Sequence, residues 1–235
     1  MNLPDNHVAP RRQLSQDVAS YVRELIISGK VRKEQFLRIE AIAKAMQTSS
    51  TPVREGLLLL QNEGFVKLVP RRGFMVVGFS KQDVRDIFWT QGVLAGELAA
   101  RAALSLDESQ REALGQLLRD HRDATEKGDE ALHTRLAHQF HRTINLGSGS
   151  TRLAVLLGKM TKQLPNQFYG LVEEQVHGAV DYHALIYHAI LERDAEKARQ
   201  LMTEHLTEGG EILVKYLERQ GVWAEDQAES ATGRD

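Results

Sequence analysis

Histidine is the residue type in this sequence whose placement most suggests chemistry. Nine histidines occur in 235 residues, and three stand in segments of helical periodicity: His141 in HQFHRTIN, His183 in DYHALIYHAI and His205 in ARQLMTEHL. Three imidazoles that project into one helical core can hold a divalent cation such as zinc or nickel, with positions left for water or a ligand. A single helical histidine is more often a surface residue or a satisfied core residue, so the residues alone leave both interpretations open.

Basic and hydroxyl side chains are grouped in the first third of the chain. Arg54 stands near the start of a predicted third helix, where a helix-turn-helix protein reads bases in the major groove. A guanidinium can make a bidentate contact to guanine, so Arg54 is the strongest candidate base reader. Further candidates for contact with phosphates or bases are Arg38, Ser49, Ser50, Thr51, Arg71, Arg72 and Gly73. Each arginine taken alone is more often a solvated surface charge, whereas the order of these residues along the chain favours DNA binding.

Hydrophobic periodicity predicts the elements that position these residues. The order is helix (14–27), helix (39–46), a short polar turn (47–51), helix (52–62) and a β-hairpin (65–69 and 74–77, joined by the turn 70–73). Proline at position 52 falls in the first turn of its helix, where its missing N–H costs little. This order is typical of a winged helix-turn-helix.

The chain after residue 80 is predicted to be entirely helical. The fold class is therefore mainly α, with an N-terminal winged helix-turn-helix followed by a C-terminal all-α antiparallel helical bundle. A predicted helical segment at 166–192 carries a break near Gly170 or Gly178. The predicted domains are a flexible N-terminal arm (1–10), a DNA-binding domain (11–78), a linker (79–82), an effector-binding and dimerisation domain (83–220) and a disordered tail (221–235).

Composition narrows the class of protein. The absence of cysteine excludes disulfides and thiolate metal sites and fits a reducing cytoplasm. The sequence contains no apolar run of the roughly 18–20 residues that a membrane span needs, and the N-terminus lacks the features of a signal peptide. Residues 1–78 hold 12 Lys and Arg against 7 Asp and Glu, whereas residues 79–235 hold 18 against 25. This asymmetry suggests that only the first part contacts a polyanion.

The first domain resembles the DNA-binding domain of the GntR family of bacterial regulators. The matching pieces are IISGK, TPVREGL, LQNEGFV and RRGFMVV, in the family's order and spacing between Val22 and Val77. The resemblance implies an operator-binding winged helix whose contacts come from Arg38, Arg54 and the wing. The family usually has arginine just before the Thr-Pro pair, where this chain has Ser50. The loop before the second helix also lacks the usual Pro-Gly, so the operator is expected to differ from the family's usual one.

The region from Lys81 to Tyr216 is similar to the FCD effector domain of one GntR branch. The match is strongest in FHRTI and in HALIYHAILERDAEKARQLMTEHL. The resemblance implies that His141, His183 and His205 are metal ligands, and that an aspartate ligand has been replaced by Ala137. It also places Gln91 where the family has an effector-facing arginine, and Ala95 where it has a glutamate. The predicted effector-binding residues are Gln91, Ala95, Ala137, His138 and Asn145, and the last two are also candidates to replace the missing ligand.

The hypothesis that accommodates both parts is a ligand-responsive transcriptional regulator. We expect a dimer that binds a pseudo-palindromic operator. The resemblance implies a repressor, because most members of the family are repressors. We also expect the protein to respond to a small metabolite such as an organic acid. Without a metal, the pocket would take a larger or more apolar effector. A metal-dependent hydrolase using the three histidines lacks a placed general base and leaves the winged helix unexplained. A nucleoid or adaptor protein without an effector is the remaining alternative.

Overall fold

The computed structural model describes residues 9–176 and 181–224, which form two compact units. One unit contains the chain up to Ser80 together with the segment from Leu217, and the other runs from Lys81 to Tyr216. Helices dominate, and a small three-stranded sheet lies in the first unit. The predicted fold class, a winged helix-turn-helix followed by an all-helical domain, is confirmed. Among the described residues, no helix has the length and apolar character needed to cross a bilayer.

The first unit has the order of elements of a winged helix. The elements are α1 (Ala9–Ile27), β1 (Phe36–Leu37), α2 (Ile39–Ala45), α3 (Ser50–Asn62), β2 (Val66–Val69) and β3 (Gly73–Val76). The strands β2 and β3 form the expected hairpin, and β3 lies in the middle of the antiparallel sheet. The sequence did not predict β1, because two residues are too few to show a period-two pattern; β1 pairs Phe36 with Met75 and Leu37 with Phe74.

Helices α1 and α3 pack closely because α3 carries a glycine at their contact. A Cβ on Gly56 would lie 2.8 Å from the carbonyl oxygen of Ser15 and 2.7 Å from Val18 Cγ1. Arg23 on α1, nearly buried, donates through Nε and Nη2 to one carboxylate oxygen of Glu63, just after α3. These contacts fix the orientation of α3, which carries the predicted base-reading residues.

The segment after α10 differs from the disordered tail that the sequence predicted from residue 221. Residues Gly221–Ala224 are described, and Trp223 is only 6% exposed. Its indole N–H donates to the carbonyl of Phe79 at 2.6 Å, and the Phe79 ring stacks on Phe65. The polar composition that follows residue 223 concealed this one buried aromatic anchor. Residues 225–235, like residues 1–8 of the predicted arm, lie outside the described residues, and Ala9 already begins α1.

The described part of the second unit is built from helices. They are α4 (Lys81–Ser105), α5 (Glu108–Glu126), α6 (Glu130–Gly147), α7 (Thr151–Thr161), α8 (Asn166–Val176), α9 (Tyr182–Leu191) and α10 (Ala195–Arg219). Asp107 and Gln110 form the capping box at the start of α5. Helix α8 runs unbroken through Gly170, and the other expected break, Gly178, lies outside the described residues. An apolar core of α4, α5, α6, α7, α9 and α10 side chains holds the unit together.

Glycines allow α4 and α10 to approach closely. A Cβ on Gly96 would lie 2.3 Å from Thr203 Oγ1 and 2.8 Å from the carbonyl oxygen of Arg199. On α10, a Cβ on Gly210 would lie 2.8 Å from Cβ and 3.0 Å from Cγ of Phe88 on α4. The hydroxyl of Thr203 donates to the backbone, with the carbonyls of Gly92 and Arg199 as its acceptors.

Two ion pairs tie the same helices together. Arg85 of α4 is bidentate to Glu211 of α10, and Arg199 of α10 pairs with Glu97 of α4. Hydrogen bonds from Arg101 and Arg199 lower the pKa of Glu97 from its usual value, and Arg85 does the same for Glu211. Both carboxylates are therefore ionised at neutral pH and remain paired.

We expect Gly96→Ala to destabilise the protein by about 1–3 kcal/mol, because the added methyl has no space between α4 and α10. Chemical denaturation followed by circular dichroism measures this change. Gly158→Ala in α7 is the matched control: nothing lies within 4 Å of its added methyl, so that variant should be neutral or more stable by up to ~1 kcal/mol. Equal stability of the two variants would contradict the close packing described here.

Candidate metal centre and DNA-binding surface

Three helices bring His141, His183 and His205 together. His141 lies on α6, His183 in the first turn of α9, and His205 in the middle of α10. The α9 helix begins next to His183 because the Asp181 side chain caps it, accepting a hydrogen bond from the N–H of Ala184. His183 and His205 are buried, and His141 is half-buried.

The imidazole nitrogen atoms of these residues converge. Nε2 of His141 lies 3.1 Å from Nε2 of His183 and 3.2 Å from Nε2 of His205. One ligand atom from each of the three residues lies within 4.8 Å of the others. The rings of His141 and His205 are nearly parallel, and the His183 ring stands at a steep angle to both.

This geometry fits a divalent cation. Nitrogen ligands about 2.0–2.1 Å from zinc are separated from one another by roughly 2.8–3.4 Å at ligand–metal–ligand angles of 90–110°. A neutral imidazole offers one lone pair, so Nε2 of His141 cannot accept hydrogen bonds from both neighbours through it. A single cation satisfies all three lone pairs at once. Imidazole donors without a thiolate suit zinc or nickel, which would act there as a Lewis acid.

Two further buried histidines surround this centre, and the sequence analysis missed them. The ring centroids of His121 on α5 and His133 on α6 lie 4.1 Å apart, with the rings tilted by 35°, and His121 meets His183 edge to face at 5.1 Å. Their positions carried a detectable signal. His121 follows Leu114 and Leu118 at the spacing of one buried helix face, which is where a core residue belongs.

The predicted effector-binding residues are distributed over different environments. Ala137 and Ala95 are buried, Ala95 within the apolar core. His138 is exposed on α6, with its ring edge toward Tyr169, and is not among the converging ligands. Asn145 is half-buried, and its Oδ1 accepts no hydrogen bond within the described part of the chain.

Gln91 is buried and forms a hydrogen bond with Tyr169. Its side-chain amide donates to the hydroxyl of Tyr169 at 2.8 Å, and that hydroxyl donates in turn to the carbonyl of Thr161 at 3.1 Å. Burial raises the pKa of Tyr169 well above its usual value, so the hydroxyl stays protonated and available as a donor. Residue 91 is therefore a neutral, hydrogen-bonded group rather than a free cation.

The start of α3 presents exposed polar groups. Ser49, Ser50, Thr51 and Arg54 are all exposed. Ser49 is the N-cap residue, and its side chain makes no capping hydrogen bond. The orphan N–H groups of the first turn and the three hydroxyls therefore face outward together, an arrangement suited to phosphate and base contacts. Arg38, the N-cap residue of α2, is exposed as well.

The hairpin turn presents two arginines at its tip. Arg71 has a positive φ of 63° and Gly73 one of 96°, so the turn uses left-handed conformations at both positions. Both Arg71 and Arg72 are exposed, and the guanidinium of Arg72 lies 4.3 Å from the centre of the Phe36 ring. Phe36 on β1 thus supports Arg72 by a cation–π contact while the tip remains open to a ligand.

Comparison with known proteins decides the family. The model of the FCD domain matches residues 86–208, more than half of the chain, and the model described as "Bacterial regulatory proteins, gntR family" matches residues 14–76. The chain belongs to the GntR family. It carries the family's helix-turn-helix domain and an FCD domain, and it is a transcriptional regulator and not an enzyme.

Relatives and solved structures of GntR proteins cover most of the chain. It is 27% identical to the HTH-type transcriptional repressor GlaR of Escherichia coli K12 over 202 residues, which is 82% of this chain and 92% of GlaR. It is 22% identical to the repressor RspR of the same organism over 95% of this chain and 99% of RspR. The fold matches that of E. coli McbR/YncC with a TM-score of 0.61 and 21% identity, covering 86% of this chain and 98% of McbR/YncC.

If the three histidines bind zinc, substitutions at and near them should change the zinc affinity. His205→Ala removes one of three ligands and should weaken zinc binding by a hundredfold or more, because the remaining pair cannot enclose the cation. Ala137→Asp adds a carboxylate one helical turn before His141 and should tighten zinc binding by about tenfold, or about 1.4 kcal/mol. Competition with a chromophoric chelator measures both.

The control for this metal experiment is His188→Ala. His188 lies on α9 outside the converging group, so this variant should bind zinc as the wild type does. Zinc binding that is unchanged in His205→Ala would contradict the assignment of the centre.

Proposed function

We propose that this GntR regulator is a metabolite-responsive repressor that binds a pseudo-palindromic operator as a dimer. The observation that carries the proposal is the pairing of an exposed α3 N-terminus with an FCD domain whose interior holds three converging histidines. Operator DNA is bound by the first unit, and the second unit holds the effector. Such a regulator acts in the cytoplasm, where a bacterial chromosome lies.

Base reading is assigned to Arg54, and the surrounding groups position the protein on the DNA. The guanidinium of Arg54 projects from the second turn of α3, which follows the hydroxyls of Ser49, Ser50 and Thr51. Arg38, Arg71, Arg72 and the backbone at Gly73 contact phosphates or enter the minor groove. Serine at position 50 makes weaker, less selective base contacts than an arginine, so the operator differs from that of relatives with arginine there.

The effector is assigned to the space beside the three histidines, with a zinc or nickel ion as its anchor. Three neutral imidazoles leave the full double charge of the cation uncompensated, since Ala137 supplies no carboxylate. A small organic acid completes the coordination and offsets this charge in the buried site. The neutral Gln91–Tyr169 pair offers hydrogen bonds in place of a guanidinium, which favours an effector with a single acidic group.

An effector pocket without metal is the second candidate. The buried alanines at 95 and 137 favour it, because they leave apolar walls where charged residues would have stood. In that case the ligand is larger or more apolar, and the three imidazoles contact it directly.

The repressor role draws its support from named relatives. GlaR and RspR, both of Escherichia coli, are transcriptional repressors by name and align with most of this chain. A dimer bound to an operator blocks transcription of the adjacent gene. Effector binding that lowers its affinity for DNA then relieves the repression.

The dimer is assigned to an exposed apolar patch on the second unit. The patch consists of Trp89, Val93 and Leu104 on α4 and Val155 and Leu156 on α7, two helices that contact each other. The three α4 residues fall within one face of the helix, since positions 4 and 11 residues apart lie on the same side. Trp89 is 60% exposed. Exposed aromatic and aliphatic side chains grouped in this way mark protein interfaces, and self-association covers them.

Selection from a random DNA pool tests operator recognition. The wild-type protein should enrich two inverted half-sites about one helical turn apart. Arg54→Ala should lose about 1–3 kcal/mol of binding free energy and tolerate other bases at one position of each half-site. Arg119→Ala removes the same charge from α5 and should select the wild-type sequence. Failure of the folded wild-type protein to enrich any sequence would contradict the proposal.

Trp89→Asp should convert the dimer into monomers, because it places a charge within the apolar patch and removes its one aromatic side chain. Sedimentation equilibrium measures the association. Leu191→Asp introduces the same charge at an exposed leucine on α9, outside the patch, and should leave the dimer intact. A Trp89→Asp protein that remains dimeric would place the interface elsewhere.

A further inference from the structure

A groove of about 540 Å³ lies between α6 and the start of α8 in the second unit. Arg135, His138 and Arg142 line it from α6, and Asn166 and Gln167 line it from α8. The α6 positions are spaced three and four residues apart, so they form one continuous face of that helix. The volume lies within the range of about 300–1,000 Å³ that small-molecule sites occupy.

The two helices meet closely along this groove. Gly170 of α8 and Thr134 of α6 both line it, and a Cβ on Gly170 would lie 3.3 Å from Thr134 Oγ1. A side chain at position 170 would require Thr134 to shift slightly, so the glycine allows the two walls of the groove to lie close together.

The groove carries positive charge on a domain that is acidic. Residues 79–235 hold 25 Asp and Glu against 18 Lys and Arg, yet Arg135 and Arg142 are both exposed at this groove. In the part of the chain that the structure describes, neither guanidinium forms an ion pair with a carboxylate. The two side chains thus offer planar donor groups whose usual partner is a carboxylate or phosphate.

The start of α8 adds donors on the opposite wall. Asn166 is the first residue of α8, and its first turn contains no acidic residue. The positive end of the α8 helix dipole therefore lies beside the side-chain amides of Asn166 and Gln167. Both walls favour an anion.

We infer that this groove binds a small organic dianion, a dicarboxylate whose acidic groups are joined by a short apolar chain. Arg135 and Arg142 are seven residues apart, about 10.5 Å along the helix axis, so each long side chain can reach one end of such a molecule. The site is separate from the histidine centre: His141 belongs to the converging ligands, whereas His138, one turn earlier, faces the groove. The inference adds a second ligand site to the proposed regulator and does not require a bound metal.

Adipate is the probe, and titration calorimetry on the metal-stripped full-length dimer is the measurement. Removing the metal with a chelator excludes metal-dependent adipate binding at the histidine centre, and His205→Ala, which should bind adipate as the wild type does, tests for direct binding by the imidazoles. The double variant Arg135→Gln/Arg142→Gln should bind adipate at least tenfold more weakly than the wild type. Arg119→Gln/Arg152→Gln removes the same charge from exposed positions on α5 and α7 and should bind adipate normally. Hexanoate, with the same chain length and one carboxylate, should bind the wild type several-fold more weakly than adipate.

Three results would overturn the inference. They are an absence of saturable adipate binding, equal affinity of the wild type and the Arg135→Gln/Arg142→Gln variant, and equal affinity for adipate and hexanoate. DNA selection with the same variant separates this site from the proposed function. An unchanged operator sequence in a protein that no longer binds adipate supports the groove, whereas loss of DNA binding in the wild type contradicts only the regulator proposal.

Discussion

The crowding of three imidazole nitrogens into one small, largely buried volume is the constraint on which the second unit depends. His141, His183 and His205 come from three helices, and their Nε2 atoms cannot all be satisfied by one another. A divalent cation held by the three imidazoles would link α6, α9 and α10 at one point.

Close packing and ion pairs hold the helix that carries His205 against its neighbour. Helix α10 is held against α4 by contacts at Gly96 and Gly210 and by the ion pairs of Arg85 and Arg199, so His205 has little freedom along the helix axis. The residues of α10 up to Tyr216 belong to the second unit, and those from Leu217 onward belong to the first.

The periodic patterns of apolar residues in the sequence predicted most of the secondary structure. The spacing of apolar residues predicted the helices of both units, and the alternation on either side of Pro70–Gly73 predicted the hairpin. It could not predict contacts that single residues make across the fold. The hydrogen bond from Trp223 to Phe79 lies in a segment whose composition is that of a tail, and the pairing of β1 depends on two residues. Of the site, the three ligands were identified by resemblance, whereas His121, His133 and the Gln91–Tyr169 pair needed the structure.

Thermodynamic linkage between the two units tests the central claim, that the histidine centre controls DNA binding, most directly. The measurement is the zinc dissociation constant of the dimer in the absence and in the presence of its selected operator, together with the operator dissociation constant with and without zinc. If the two sites are coupled, zinc and operator must change each other's affinity by the same factor, typically 5–150-fold for an allosteric protein. Identical zinc affinity with and without operator, matched by identical operator affinity with and without zinc, would contradict the account.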